Sequence, residues 1–161
     1  MNTPKHYLFR VAALCVLGLL PNAAMAAGPV YPDVASARAD VDAALAQAAK
    51  GGKRVLVDFG GNWCGDCKVL DANLRRAENA ALLDKHYVLV HVNVGDKGID
   101  NNFDIAERYG IPLKKGVPAL AVLENDGRLV YSQKNGEFES MRTLDPKSVQ
   151  EFLDRWRGPR T

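Results

Sequence analysis

The chain predicts an α/β fold, a mixed sheet with helices on both faces, and three observations carry that expectation. Short apolar, β-branched runs at residues 55–59, 87–94 and 119–123 read as strands. Segments with apolar residues at helical spacing separate these runs and close the chain. An Asn125-Asp126-Gly127 turn joins the third run to residues 129–132 as a hairpin. Strand, helix, strand, helix, hairpin, helix in that order calls for crossover and hairpin connections in one sheet, hence a mixed one.

The amino-terminal end reads as a targeting signal. Lys5, His6 and Arg10 precede an apolar stretch at residues 11–20, and Ala24-Met25-Ala26 forms a small-x-small cleavage site. An apolar run of about ten residues is well short of the roughly twenty a spanning helix needs. A secretory signal over residues 1–26 and one domain over residues 27–161 are therefore expected, with an uncleaved tether as the alternative. Cleavage would remove Lys5 and Arg10 and no acidic residue, so Lys plus Arg falls from 21 to 19 against 19 Asp plus Glu. A near-neutral domain without a basic stripe gives no argument for nucleic acid. Cys15, one of three cysteines, lies in the signal's apolar core, and Ala12-Ala13-Leu14 before it does not form a lipid-attachment box.

Asp33 is placed to cap a helix running through Ala35, Val41, Ala44, Leu45 and Ala48 to a stop at Lys50-Gly51-Gly52. The strand at 55–59 follows, with Asp58 its one polar member. After the sequence Trp63-Cys64-Gly65-Asp66-Cys67-Lys68, Val69, Leu70, Leu74 and Ala77, then Leu82 and Leu83, recur at helical spacing. Residues 87–94 form the next strand and 105–109 part of a short helix; residues 95–116 around it are the least regular part. Asp145-Pro146 opens a last helix with Val149, Phe152, Leu153 and Trp156 on one face.

Cys64 and Cys67 admit three readings: a redox couple, half of a zinc site, or a structural staple. A staple gains its stability by closing a long loop, and two intervening residues offer little of that. Two thiolates with His91 are the start of a zinc or copper site, but structural zinc takes four protein ligands and there is no second cysteine pair. No metal and no cofactor is expected. For a redox couple, the first thiol must be reachable and partly ionised, and a helix N-terminus favours a thiolate. Cys64 falls at or just before a helix's first turn, and Cys67 one turn further in.

Val57-Asp58-Phe59, Trp63-Cys64-Gly65-Asp66-Cys67-Lys68, Tyr109-Gly110-Ile111 and Gly116-Val117-Pro118-Ala119 resemble the thioredoxin family in order and approximate spacing. The resemblance covers roughly residues 53–156 and implies a thioredoxin-like fold, with a four- to five-stranded mixed sheet between helices. It implies Cys64 as nucleophile and Cys67 as resolving thiol. Asp58 would be the buried carboxylate beneath Cys67; an apolar surrounding disfavours its charge, so it would accept and return the proton of Cys67. Val117-Pro118 would be the cis-proline loop that offers backbone groups to a substrate chain, with an ordinary trans proline at a strand start as the alternative. Trp63 would flank the thiols as an apolar contact surface.

Two departures stand out. Gly60-Gly61 replaces a bulky aromatic and a small residue, which implies a more open surface. Asp66 replaces the proline between the cysteines, and a carboxylate there opposes a thiolate on Cys64 unless it is screened or paired with Lys68. Unscreened, it makes the dithiol a better electron donor. His91 lies in an apolar strand from which it reaches Asp58 if the strands are neighbours, though a satisfied core or surface histidine is the ordinary reading. The expected function is thiol–disulfide exchange on cysteines of exported, envelope proteins, leaning to reduction or isomerisation and supplied with electrons by a membrane partner. The competing reading is a non-catalytic client-binding module of the same fold.

Overall fold

The structure, a computed structural model, describes residues 28–158. The expected signal, with Cys15 in it, lies outside the described residues. Asp33 accepts from the Ala35 N–H at 2.8 Å and starts a 3-10 turn, Val34–Ser36. This turn leads into α1, Ala37–Gly51, which stops where Gly52 turns left-handed at φ 62°. The strand β1, Arg54–Gly60, then enters the centre of the molecule.

The rest follows as α2 (Gly65–Leu74), α3 (Ala77–His86), β2 (Tyr87–Asn93), α4 (Phe103–Arg108), β3 (Ala119–Leu123), β4 (Leu129–Ser132) and α5 (Lys147–Trp156). The four strands order as β2-β1-β3-β4. β1 is parallel to β2 and antiparallel to β3, which pairs antiparallel with β4. The sheet is therefore mixed, and β1 is buried between two neighbours.

Alternation along β1 divides the core. Val55, Val57 and Phe59 face one side with Val41, Ala44 and Ala48 of α1 and Ile105 of α4. Leu56 faces the other with Leu70 and Leu74 of α2 and Val149, Phe152 and Leu153 of α5. Helices thus cover both faces, as the sequence predicts.

One expectation changes. The apolar spacing after the cysteines reads as one continuing helical pattern, yet the chain breaks between α2 and α3. Arg76 takes an extended conformation, φ −62° and ψ 144°. Side-chain amides sustain the break: Asn79 Nδ2 donates to the Asn73 carbonyl and Asn73 Nδ2 to that of Val69. Asn79 is 1% exposed, so losing the bond its amide nitrogen makes would be costly.

Candidate active site

The site forms where β1 ends. Gly61 and Cys64 close a turn, the Cys64 N–H donating to the Gly61 carbonyl at 3.0 Å, and Cys64 becomes the N-cap of α2. Its Sγ accepts from the Cys67 N–H at 3.1 Å and is bonded to Cys67 Sγ in a disulfide. An N-cap sulfur lies at the positive end of the helix, so the same place stabilises a thiolate once the bond opens. Cys67 is fully buried and Cys64 is 6% exposed. The reachable sulfur in the pair is therefore that of Cys64, through a narrow opening in the oxidised form.

The loop before β3 forms the far side of that opening. Val117-Pro118 is cis, and the Val117 carbonyl oxygen lies 3.5 Å from Cys64 Sγ. The buried Gln133 spans this loop: its Nε2 donates to the Pro118 carbonyl and its Oε1 accepts from Leu120 N–H, both at 3.2 Å. Trp63 is 41% exposed, with its indole N–H donating to the Gly95 carbonyl at 2.8 Å. That bond fixes the ring as an apolar wall beside the cysteines.

The glycine pair does not open the surface. A Cβ on Gly60 would meet Tyr31 Oη at 2.4 Å and Cys67 Sγ at 2.9 Å, and one on Gly61 would meet the Trp63 indole nitrogen at 2.5 Å. Tyr31 and Trp63 supply the bulk that those positions lack. Asp66 likewise departs from expectation, since its partner is Arg142 rather than Lys68. Arg142 gives it a backbone N–H at 2.9 Å and guanidinium contacts at 2.8 to 3.2 Å. The side-chain hydrogen bond first, then the backbone one, hold the Asp66 carboxyl below its ordinary range. Its charge beside Cys64 is thus paired, which weakens the sequence argument for a strongly donating dithiol.

Asp58 is fully buried and lies directly opposite His91 in the β1–β2 register. His91 Nδ1 is 2.9 Å from Asp58 Oδ2, and the Tyr31 hydroxyl donates to the same oxygen at 2.7 Å. Asp58 Oδ1 has no hydrogen-bond partner. Burial alone would lower the His91 pKa, but the Asp58 hydrogen bond and charge, with Asp71 added, outweigh it and raise the value above the ordinary histidine. Asp71 Oδ1 lies 3.9 Å from His91 Nε2, and the Asp71 carboxylate accepts from Arg75 Nε at 2.8 Å. Among the described residues no group of three or more His, Cys, Asp or Glu side chains is arranged to hold a metal ion.

The structure thus brings Cys64, Cys67, Trp63, Val117 and Pro118 to one opening, with Asp66 on its rim and Asp58 behind Cys67 through Tyr31. Sequence reasoning missed Tyr31, Gln133 and Arg142. Each acts across a fold-made contact and carries no local motif.

A family model described as Thioredoxin-like matches residues 36–125. Among solved structures, a disulphide isomerase from Xylella fastidiosa is 35% identical, with a TM-score of 0.74, covering 81% of this chain and 98% of that one. A protein disulfide-isomerase of Ricinus communis is 30% identical over 105 residues, 65% of this chain and 19% of that protein. A thioredoxin of Chlamydia pneumoniae is 36% identical over 86 residues, 52% of this chain and 74% of that protein. The chain spans about a fifth of the length of the plant isomerases it matches.

Proposed function

Because the chain belongs to the thioredoxin-like family, we propose that it is an enzyme of dithiol–disulfide exchange that reduces or isomerises disulfides in exported proteins. It is a thiol–disulfide oxidoreductase. The observation that carries this reading is the Cys64–Cys67 disulfide at the N-terminus of α2, with the Val117 carbonyl 3.5 Å from the outer sulfur.

In the reduced enzyme Cys64 is the nucleophile. Its thiolate attacks one sulfur of a client disulfide, and the other client sulfur leaves with the electron pair. Cys67, one turn deeper, then attacks Cys64 Sγ, re-forms the internal disulfide and releases the second client thiol. In isomerisation a client thiol attacks the mixed disulfide first, and Cys64 leaves unchanged. Trp63 and the Val117-Pro118 loop hold the client, its extended backbone pairing with free loop groups. Asp58 takes the proton of Cys67.

The lean toward reduction or isomerisation rests on the isomerase relatives more than on Asp66, whose charge Arg142 pairs. The export reading, a domain acting in the periplasm or outside the cell, is supported by the basic, apolar and small-residue pattern of residues 1–26. There no cytosolic reductant reaches it, so a membrane electron-transfer partner would recharge the pair. Insulin reduction in the presence of dithiothreitol tests the activity: turnover in the unaltered protein that vanishes in Cys64→Ser is expected. Absence of turnover in both would instead support a client-binding module.

A further inference from the structure

Tyr31 lies ahead of the residues that match the family, 36–125, yet it is 1% exposed and reaches into the site. Asn62 fixes its backbone from both sides, accepting from the Tyr31 N–H at 3.1 Å and donating to its carbonyl at 2.8 Å. Its ring meets His91 edge-on, centroids 5.1 Å apart. The hydroxyl, 2.7 Å from Asp58 Oδ2, also borders the space over Gly60 that Cys67 Sγ borders from its own side. Hydroxyl and resolving sulfur therefore flank the space over one bare α-carbon, and the hydroxyl bonds the carboxylate on its other side. Phenylalanine would fill the same volume, so packing does not account for the oxygen, and burying a phenol is costly unless its hydroxyl is bonded.

Resting on the exchange chemistry of the preceding section, we propose that Tyr31 takes part in the resolving step as a relay that carries the proton between Cys67 and Asp58. In the resolving step the Cys67 thiol passes its proton to Tyr31 Oη as the phenolic proton moves to Asp58 Oδ2. The freed Cys67 sulfur bonds to Cys64 Sγ, and the bond between Cys64 and the client breaks. The client sulfur leaves with the electron pair and takes a proton from water. The cysteine pair is oxidised by two electrons, the client disulfide is reduced by two over the cycle, and the phenol ends unchanged.

Burial, then the Asp58 charge, push the Tyr31 phenol far above its ordinary range, so it gives a proton only while taking one. His91 occupies the same Asp58 oxygen, with Asp71 and its partner Arg75 behind it. Asp40 lines the groove onto which His91 opens.

The test is rapid mixing of the reduced protein with oxidised glutathione. The Cys67→Ser background reports attack by Cys64 alone, and the full pair reports resolution. Tyr31→Phe is expected to lower the ratio of resolution rate to attack rate by roughly 10²-fold, within the span of positioned proton transfer, and to change the pH profile of resolution. An unchanged ratio and profile, in a variant whose circular dichroism and urea midpoint match the unaltered protein, would overturn the relay. If Tyr31→Phe does not fold, 3-fluorotyrosine at position 31 keeps the shape and alters the acidity; a displaced profile supports the relay and an unmoved one overturns it. An unaltered protein that never exchanges with glutathione overturns the exchange reading and the relay together.

Discussion

Arg142 and Asp66 set the charge next to Cys64. The Arg142 side chain is 70% exposed, so its attraction acts through water and salt rather than through a dry interior. Arg142→Ala leaves the Asp66 carboxylate facing a nascent thiolate. Ultraviolet titration of the Cys64 thiolate should then move upward, by less than about one pH unit, because exposed pairs rarely exceed that. The difference should shrink in high salt, where screening acts within a few ångströms; an unmoved titration at low salt would mean Asp66 does not reach Cys64. At this scale the site is half legible. Cys64, Cys67, Asp66 and Trp63 stand within six residues, and Asp58 is conspicuous as a polar group in an apolar strand. Arg142 joins Asp66 across 76 residues and Tyr31 joins Asp58 across 27, and no periodicity links such positions. The glycines mislead for the same reason, since the groups that fill their space come from elsewhere in the fold.

The strand pair β1 and β2 carries the element-scale consequence. Parallel register sets Asp58 against His91, a neighbour relation the sequence left conditional on strand order. Because the folded His91 pKa is raised, its contribution to stability is complete below the unfolded value of about 6.5 and is lost as pH rises through the folded value. His91→Gln removes that dependence. Urea unfolding should therefore show the stability gap between the unaltered protein and His91→Gln narrowing as pH rises from about 6 to about 9. A gap that is constant or widens would contradict a charged His91 bonded to Asp58. Element boundaries were otherwise readable because alternation and helical spacing are strong signals in this chain. The break between α2 and α3 was not, since the amides of Asn73 and Asn79 sustain it where glycine or proline would usually announce it.

Across the whole molecule, the order of elements sufficed to predict a mixed sheet covered on both faces, because crossover and hairpin connections leave few other arrangements. It did not foretell that the segment ahead of α1 closes over the end of β1. Asn62 holds Tyr31, Asn93 donates to the Pro32 carbonyl at 2.8 Å, and Asn102 donates to that of Val34 at 2.9 Å. Three asparagine amides so bind an otherwise irregular strand of chain to the domain, and the buried acid is sealed by residues that precede the matched family region. The fold thus delivers one outer sulfur and one inner sulfur with a buried carboxylate, Asp58, in the interior behind them. That asymmetry is most directly read by trapping. Reduced Cys67→Ser mixed with oxidised insulin should accumulate a mixed disulfide that mass mapping places on Cys64, while reduced Cys64→Ser accumulates none. Adducts on neither variant, or equal adducts on both, would contradict the division of labour between the two cysteines.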